Sequence, residues 1–381
     1  MIIAVNTRLL LQDKLEGIGR FTCETLRIIT KKHPEHRFIF IFDRAFSNDF
    51  IFSSNITPVV AFPQARHPVL WYAFFEWGVP PALKKHKADL FLSPDGWLSL
   101  RSKTRSMAVI HDLNFFHFPE FIPWHIQQYY SYYFPRFVKK SCRIATVSEF
   151  TRRDIISRFS YDASKIDVVF NGANDIFTPL SESDKKAARE KYAGNCPYFL
   201  FTGLIHPRKN LTNLIRAFKQ FKQSINSNVK LLIVGSRKWW TDDMQKALEN
   251  SAFREEIIFT GRVDDESLHM IMGSALALVY ASHFEGFGIP ILEAMYCDTP
   301  TIASETSSMP EVGGDAVLYV NPQSVESIKN AMLGLYNDAG LRHKLIEKSR
   351  IQRQKFTWEK TADKLWEGVE KCLEEGLGSD K

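Results

Sequence analysis

Short apolar runs recur along the whole chain and alternate with longer segments that have helical periodicity. The runs lie at residues 2–6, 37–42, 59–62, 89–93, 106–110, 143–147, 167–170, 198–203, 229–234, 257–260, 275–280, 300–303 and 316–320. Runs of this length, bounded by turn signals, are typical of strands that are buried on both faces of a parallel sheet. Because strands that alternate with helices form doubly wound sheets, the pattern predicts an α/β fold.

A break in the alternation divides the chain into two halves. Residues 178–184 are polar, include Pro179 and precede a charged helix, and the apolar runs restart at residue 198. The 381-residue length is that of about two to three domains, and either half can bury a core of its own. We therefore expect two α/β domains, over residues 1–175 and 176–357.

The charge balance argues against a nucleic-acid partner. The chain has 49 Lys and Arg residues against 43 Asp and Glu residues, a net charge of +6, and the basic residues are scattered. A nucleic-acid surface would need them massed on one stripe. Weak attraction to an anionic membrane remains compatible with this charge.

The cysteines and the N-terminus predict a cytoplasmic protein. The five cysteines are widely spaced and form no Cys-x-x-Cys pair, which predicts reduced thiols and no zinc site. The first residues enter a strand directly and do not resemble a signal peptide. No apolar run reaches the roughly 18 residues that span a bilayer. We expect a soluble protein, or one that contacts the inner face of the membrane peripherally.

The segment at residues 283–294 has the strongest functional signal. It follows the apolar run at 275–280 and contains a glycine loop, with Glu285 in the loop and Glu293 on the first turn of a helix. Pro290 is well placed to open that helix, because its fixed φ suits the first turn. Glycine in the loop lets a ligand approach the backbone closely.

Strand, loop and helix start together form a site for anions, because the backbone N–H groups and the helix dipole favour a phosphate. Carboxylates beside such a site suit a ligand that also has vicinal hydroxyls, from which a carboxylate can accept two hydrogen bonds. A phosphate flanked by diols describes a nucleotide sugar. The alternative interpretation is a capped helix with a solvated loop glutamate.

A basic pair lies at another strand-to-helix junction. Arg208 and Lys209 follow the run that ends at Gly203, and a helix begins near Asn210. At that position their charges would reinforce the helix dipole against a diphosphate. The alternative is two solvated basic residues.

Two features of the first half are also candidates. His111 directly follows the run at 106–110, where ligands bind in open α/β sheets. It is a site residue or a polar loop residue on this geometry, and Asp112 either orients its ring or caps the next turn. The segment Gly17-Ile18-Gly19-Arg20 is a glycine turn ahead of a helix predicted from Phe21, and a simple loop is the alternative.

The motif Glu285-Gly-Phe-Gly-Ile-Pro, followed by Leu-Glu-Ala, is similar to the acid, seven residues, acid signature of the retaining glycosyltransferases of family 4. The resemblance implies the GT-B fold, with two doubly wound Rossmann-like domains that face each other across a cleft. The first domain would bind the acceptor and the second the nucleoside-diphosphate sugar. The segment at 356–359 resembles the point where the family's chain returns to the first domain, so a helix at about 358–381 would complete it.

The resemblance also implies site roles. Arg208 and Lys209 would hold the donor pyrophosphate, Glu285 the sugar hydroxyls and Glu293 the ribose, while His111 would face the donor sugar. The other implied donor-binding positions are Gly203, Arg262, Val263, Phe287, Gly288 and Ile289, and the implied acceptor or phosphate loop is Gly17, Gly19 and Arg20.

The implied reaction transfers a hexose-type sugar, such as mannose or glucose, to a hydroxyl of a glycan or lipid-linked acceptor, in cell-surface polysaccharide synthesis. No side chain is an evident base, so the leaving phosphate would take the proton of the acceptor. No cofactor is implied, and the basic pair would make a metal ion unnecessary.

Two aromatic blocks, at residues 71–77 and 115–137, have a helical spacing that is typical of core packing. The alternative is an acceptor surface, either a sugar platform or a lipid contact near Lys139, Lys140 and Arg143.

Two other functional classes remain open. One is a nucleotide-sugar epimerase or a phosphorylase on the same fold, although no pyridoxal-phosphate lysine can be placed for the latter. The other is a non-catalytic sugar-binding protein, which would be expected to have lost some of Arg208, Lys209, Glu285 and Glu293.

Overall fold

Two parallel sheets organise the chain, each with helices on both faces. The computed structural model describes residues 1–12 and 15–377. The first unit comprises residues 1–172 and the C-terminal segment from Trp358, and the second comprises residues 173–357. The two doubly wound α/β units that the sequence predicts are confirmed.

Seven parallel strands form the sheet of the first unit, in the order β3-β2-β1-β4-β5-β6-β7. The strands are β1 Ile2–Asn6, β2 Arg37–Phe42, β3 Ile56–Val60, β4 Leu90–Ser93, β5 Arg105–Ile110, β6 Arg143–Thr146 and β7 Ile166–Val168. The helices that precede the second unit are α1 Gly17–Lys32, α2 Pro68–Ala73, α3 Val79–Lys85, α4 Asn114–His117, α5 Trp124–Lys140 and α6 Glu149–Phe159.

Strand β2 shows why these runs must be buried on both sides. Its residues alternate between the two faces of the sheet. Ile39 and Ile41 join the core cluster that includes Phe74 and Phe91, whereas Phe38 contacts the ring of Trp366 on the other side. The apolar sequence of the strand therefore fills two cores at once.

Helix α6 begins after a capping serine, Ser148. The hydroxyl of Ser148 accepts a hydrogen bond from the Thr151 N–H at 3.1 Å, which satisfies one of the free N–H groups of the first turn. Helix α1, in contrast, begins at Gly17 rather than at Phe21. Gly17 and Gly19 are thus part of its first turn, and Gly19 packs so closely on the Leu9 carbonyl that a Cβ would lie 2.7 Å from it.

Six parallel strands form the sheet of the second unit, in the order β10-β9-β8-β11-β12-β13. The strands are β8 Tyr198–Thr202, β9 Lys230–Val234, β10 Ile257–Gly261, β11 Ala277–Tyr280, β12 Thr301–Ser304 and β13 Leu318–Val320. The helices are α7 Glu182–Ala193, α8 Leu211–Ser224, α9 Asp242–Glu249, α10 Asp265–Ser274, α11 Ile289–Tyr296, α12 Met309–Gly313, α13 Val325–Asn337 and α14 Ala339–Gln352.

Each sheet has one point where the direction of winding reverses. In the first unit β1 lies between β2 and β4, and Val5 pairs with Leu92 across the reversal. In the second unit β8 lies between β9 and β11, and Leu200 pairs with Leu278. Such switch points open a crevice at the carboxyl ends of the strands, where α/β proteins bind ligands.

The polar segment at residues 178–184, where the sequence predicts the division between the halves, lies within the second unit. The carbonyl of Thr178 is 2.7 Å from Nε2 of His269 on α10, and Ser181 caps α7 through the Asp184 N–H. The polar residues of this segment therefore cap a helix. The chain passes from the first unit to the second after Gly172.

The last helix, α15 Trp358–Leu377, belongs to the first unit. Its Trp366 stacks on His33 with ring centroids 3.9 Å apart, and its Asp363 pairs with Lys32 of α1 at 2.6 Å. A Cβ on Gly172 would lie 2.6 Å from the Trp358 nitrogen, so the incoming and outgoing chains touch where they enter and leave the unit.

The expectation of five reduced thiols is wrong for one pair. Cys142 and Cys372 form a disulfide between residues 230 positions apart, whereas Cys23, Cys196 and Cys297 are free. The pairing arises because α15 packs against the sheet beside β6. Spacing along the chain gives no sign of that contact.

Candidate active site

The turn after β8 presents the basic pair at the switch point of the second unit. Residues 207–209 form a single 3-10 turn between β8 and α8. The side-chain amide of Asn210 donates to the carbonyls of Ala281 and Pro322, both at 2.8 Å. These two bonds fix the backbone that carries Arg208 and Lys209.

The loop after β11 presents Glu285 at the same switch point. Its hydrogen bonds come from the loop after β12: Ser308 Oγ donates to the carbonyls of Glu285 and Phe287 at 2.8 and 2.9 Å. The Glu285 N–H donates to Ser307 Oγ at 3.0 Å. Gly288 has a φ of +108°, a conformation that glycine adopts without strain, and Pro290 lies in the first turn of α11, as predicted.

Arg208, Lys209 and Glu285 meet in a buried cluster. Arg208 Nη1 lies 2.8 Å from Glu285 Oε2, and Lys209 Nζ lies 2.7 Å from Glu285 Oε1. The three side chains are 18%, 11% and 8% exposed, respectively. Lys209 also donates to the Tyr280 hydroxyl at 2.6 Å. With two cations and one carboxylate the cluster has a net positive charge, which favours an anionic ligand.

The pKa values in this cluster keep it charged. Burial acts to raise the pKa of Glu285, but the charges of Arg208 and Lys209 outweigh it and lower the pKa to about 2. Burial, together with the same two cations, lowers the pKa of His206 to about 4. His206 is therefore neutral near pH 7, and its Nδ1 accepts a hydrogen bond from the Arg208 N–H at 3.2 Å.

The other predicted donor-binding residues lie around this cluster and along the same sheet edge. Phe287, Gly288 and Ile289 are at the start of α11, and the side chain of Glu293 is half-buried on its first turns. Gly203 directly follows β8, and a Cβ on it would lie 3.8 Å from Lys209 Cε.

Arg262 and Val263 follow β10 at the outer edge of the sheet. Arg262 is exposed and Val263 half-exposed. Because β9 and β8 separate β10 from β11, these two residues are set apart from the Glu285 cluster.

In the first unit, His111 follows β5 with its ring held in place. Nε2 of His111 is 2.8 Å from the Pro94 carbonyl, and its ring centroid lies 5.0 Å from that of Phe21. Burial lowers the pKa of His111. Asp112 caps the next turn, since its Oδ1 accepts from the Asn114 N–H at 3.0 Å. Phe21 directly follows Arg20 of the predicted Gly17–Arg20 loop, so that loop and His111 share one neighbourhood.

The aromatic blocks divide between core and surface. Phe74, Phe75, Phe134 and Phe137 are buried in one core cluster, as the packing interpretation predicts. Trp77 and Trp124 are 55% and 72% exposed. Core packing explains the four phenylalanines but not the two exposed tryptophans.

Sequence reasoning missed the residues that support the site. Asn210, Tyr280 and Ser308 are buried and bond directly to the loops that carry the cluster. Only their positions in the chain could have indicated them, since Tyr280 ends strand β11 and Asn210 caps helix α8.

Among the described residues, no group of three or more His, Cys, Asp or Glu side chains is arranged to hold a metal ion. None of the described helices combines the length and the apolar character that a membrane crossing requires.

Two family models match the chain. Residues 17–177 match Glycosyltransferase Family 4, and residues 182–352 match Glycosyl transferases group 1. O-antigen chain mannosyltransferase B of Escherichia coli is 31% identical over 279 residues, which cover 73% of this chain and 73% of the relative. O-antigen chain mannosyltransferase RfbU of Salmonella typhimurium is 30% identical over 281 residues, with 73% and 74% covered.

Solved structures share the fold at low sequence identity. Sucrose-phosphate synthase from Thermosynechococcus elongatus has a TM-score of 0.77 at 17% identity and covers 100% of both chains. A glycosyltransferase from Rickettsia africae has a TM-score of 0.74 at 18% identity, with 98% of each chain covered. These likenesses confirm the predicted GT-B fold, and the family models and relatives together show that the chain belongs to the group 1 glycosyltransferases of family 4.

Proposed function

We propose that the chain transfers a hexose-type sugar, with retention of configuration, from a nucleoside-diphosphate sugar to a hydroxyl of a glycan or lipid-linked acceptor in cell-surface polysaccharide synthesis. The observation that supports it most is the buried Arg208–Lys209–Glu285 cluster at the switch point of the second unit. The names of the two O-antigen mannosyltransferase relatives make mannose the first donor sugar to test.

The cluster fits the charge change of such a reaction. The bond between the sugar C1 and the diphosphate oxygen breaks with its electron pair on that oxygen, and a new bond forms from C1 to the acceptor oxygen. Arg208 and Lys209 would neutralise the charge that grows on the diphosphate, and fixed charges aimed at developing charge are usually the largest catalytic contribution. The N–H groups of Phe287 and Gly288 would assist at the helix start.

The carboxylates would hold neutral groups of the donor. Glu285 would accept from sugar hydroxyls with the lone pairs that its two cations leave free, and Glu293 would bind the ribose. His111 would hold the donor sugar from the first unit, and the leaving phosphate would take the proton of the acceptor. Since the two cations neutralise the diphosphate, we propose that turnover needs no metal ion.

A panel of nucleotide sugars tests this function. Purified protein is incubated with GDP-mannose, UDP-glucose, UDP-galactose and ADP-glucose, and nucleotide release is measured with and without EDTA. We expect one donor to be hydrolysed at a rate that EDTA leaves unchanged. Loss of turnover on chelation, restored by Mg²⁺ or Mn²⁺, would show that a metal ion is required. Conversion of a sugar nucleotide into its epimer would identify an epimerase, and binding without turnover a sugar-binding protein.

The exposed aromatic residues support peripheral contact with an anionic membrane at its cytoplasmic face. Trp77 contacts Tyr72, which contacts Tyr133. Tyr132 beside it is covered by the guanidinium of Arg136, with Cζ 3.6 Å from the ring centroid. Segments 62–85 and 123–140 contain six Lys and Arg residues and one acid, Glu76, and that acid is buried. Aromatic and basic side chains together are typical of interfacial membrane binding.

Vesicle sedimentation tests this contact. Wild type should bind vesicles that contain phosphatidylglycerol, more weakly at high salt, and Trp77→Gln should bind less. Trp239→Gln, at an exposed tryptophan of the second unit, is the matched control. Equal binding by both variants would refute the surface.

A further inference from the structure

The switch point of the first unit contains a second arginine–carboxylate pair. Arg8 follows β1 and Asp95 follows β4, the two strands between which the winding of this sheet reverses. Arg8 Nε lies 2.6 Å from Asp95 Oδ2, and the side chains are 10% and 4% exposed. Ligands of α/β sheets bind at this position.

The carboxylate of Asp95 is fully engaged by the protein. Its Oδ1 accepts from Asn6 Nδ2 at 2.8 Å, from Ser93 Oγ at 3.0 Å and from the Trp97 N–H at 3.2 Å. Asp95 is thereby fixed, and it holds the guanidinium of Arg8 in one orientation.

The guanidinium of Arg8 is not fully engaged. Nε is its only nitrogen that donates to a residue that the structure describes, although Nη1 and Nη2 carry four of its five N–H groups. Neither nitrogen is among the buried polar atoms that lack a hydrogen-bond partner, so both reach solvent and can donate to a ligand. An arginine whose guanidinium is fixed at a switch point and whose outer N–H groups reach solvent is placed to bind an acceptor from outside the chain.

The surroundings of Arg8 select the chemistry of that ligand. Arg8 and Asp95 neutralise each other, so the pair has no net charge to attract a phosphate. Arg8 Cζ lies 5.5 Å from the Phe75 ring centroid and 5.8 Å from that of Trp97. Both rings are buried in the core, so they support the guanidinium from behind. Its free N–H groups suit neutral oxygen acceptors such as the hydroxyls of a sugar. Tyr130, whose ring lies 5.2 Å from Trp97, has a pKa that burial raises to about 12, so its hydroxyl keeps its proton.

A similar arginine–carboxylate pair at the switch point of the second unit supports this inference. There too an arginine after the first strand pairs with a carboxylate after the strand across the switch point, as Arg208 does with Glu285. The difference is Lys209, which makes that cluster positive, whereas the described residues around Arg8 and Asp95 supply no second cation at ion-pair distance. One arrangement thus suits a diphosphate and the other a neutral ligand.

We propose that Arg8, held in place by Asp95, forms a sugar subsite in the first unit, with the Arg8 fork donating to hydroxyls of the acceptor glycan. The identification of that sugar as the acceptor rests on the proposed function. The subsite itself rests only on the geometry of the first unit.

Arg8→Lys tests the fork, since lysine keeps the charge and loses the paired donors. The matched control is Arg44→Lys. Arg44 also pairs with a buried aspartate after a strand, but it uses Nε and Nη2 on Asp43, both at 2.7 Å. Saturation-transfer NMR measures binding of methyl α-mannopyranoside and methyl α-glucopyranoside to the full-length protein. We expect wild type and Arg44→Lys to bind a glycoside equally, and Arg8→Lys to bind it at least about tenfold more weakly.

Photolabelling of the wild type gives a second measurement that needs no variant. A diazirine derivative of the bound glycoside should label peptides that contain Arg8 or Asp95, as found by mass spectrometry. Labelling elsewhere, equal binding by both variants, displacement by inorganic phosphate or no glycoside binding by the wild type would each overturn the subsite. If glycoside binds at Arg8 but no nucleoside diphosphate binds in parallel calorimetry, the proposed function fails and the sugar subsite stands.

Discussion

Arg208 and Glu285 are 77 positions apart in the chain, and Nη1 of the arginine lies 2.8 Å from Oε2 of the glutamate. The same nitrogen also donates to the Phe284 carbonyl at 2.5 Å. The arginine thus bridges the loops after β8 and β11, and its charge is balanced in part by the carboxylate. An entering diphosphate would compete with Glu285 for both cations and leave it free to accept from sugar hydroxyls.

Arg208→Ala should weaken binding of a nucleoside diphosphate. Loss of a charged partner of a bound phosphate costs on the order of 2–4 kcal/mol, and Lys209 alone would then face both the ligand and Glu285. Isothermal calorimetry with GDP and UDP measures the change. Arg254→Ala is the matched control, because Arg254 is an exposed arginine of the same unit. Equal affinity in the two variants would remove Arg208 from the donor site.

The difference in stability between wild type and Glu285→Gln should change with pH only in the acidic range, between about pH 4.5 and 2. The pKa of Glu285 is lowered from 4.5 to about 2. A lowered carboxyl pKa stabilises the fold above the unfolded pKa, and this contribution is lost as the pH falls toward the folded pKa. The difference in Tm between the two proteins should therefore be constant above about pH 5 and shrink between pH 4.5 and 2.

Differential scanning fluorimetry across this pH range measures the effect. An exposed carboxylate of the same unit provides the control, because Glu326→Gln removes a carboxylate whose side chain is 76% exposed and whose ion pair is weak. A Tm difference that stays constant down to pH 2 would show that Glu285 is not held ionised by Arg208 and Lys209.

Much of this cluster could be predicted from the sequence, for a physical reason. Arg208, Lys209 and Glu285 lie in the loops that follow apolar runs, and parallel strands place such loops at one edge of a sheet. Their mutual contact could not be predicted, because it depends on which strands are neighbours. Strand order is decided by the winding of the whole sheet, with β11 next to β8 rather than next to β10.

Supporting residues such as Ser308 were beyond sequence reasoning for another reason. Ser308 acts through a buried hydroxyl that bonds two carbonyls of a loop more than twenty residues away, and serine is common in any polar loop. Arg8 and Asp95 were missed in the same way, since neither belongs to a motif and only the pairing of β1 with β4 brings them together.

The Cys142–Cys372 disulfide predicts a specific labelling pattern. Denatured protein should take up an alkylating reagent at Cys23, Cys196 and Cys297 only, and at all five cysteines after reduction. Cys142→Ser should lower the free energy of unfolding by about 2–4 kcal/mol, because the cross-link restricts the unfolded chain. Mass spectrometry and urea unfolding measure the two effects, with Cys196→Ser at a partly exposed free cysteine as control.

Acid quenching of intact cells, followed by alkylation of the denatured protein, extends this test to location. A disulfide is rarely stable in a reducing cytosol, so a cytoplasmic protein should show five reactive thiols in cells and three after oxidative purification. Three reactive thiols in cells would contradict the proposed cytoplasmic location.

Substitution of the two glutamates of the motif should affect different kinetic constants. Glu293 is on helix α11 and is assigned to the ribose, which does not change in the reaction. Glu293→Gln should weaken ground state and transition state together, which raises the donor KM more than it lowers kcat. Glu285 is assigned to the transferred sugar, where charge and ring shape change as the bond to phosphate breaks. Glu285→Gln should lower kcat itself, on the order of 10²-fold.

Steady-state kinetics on the donor identified in the panel decide between these outcomes. Glutamine keeps the volume of each side chain and removes the charge, so a change in kcat or KM reports the carboxylate. For Glu285 the substitution also leaves Arg208 and Lys209 without their counter-ion. The Glu285→Gln protein should therefore bind the free nucleoside diphosphate more tightly, while its kcat falls. A lower kcat in Glu293→Gln with only a higher KM in Glu285→Gln would reverse the two roles. Full activity in both variants would mean that the motif only caps helix α11.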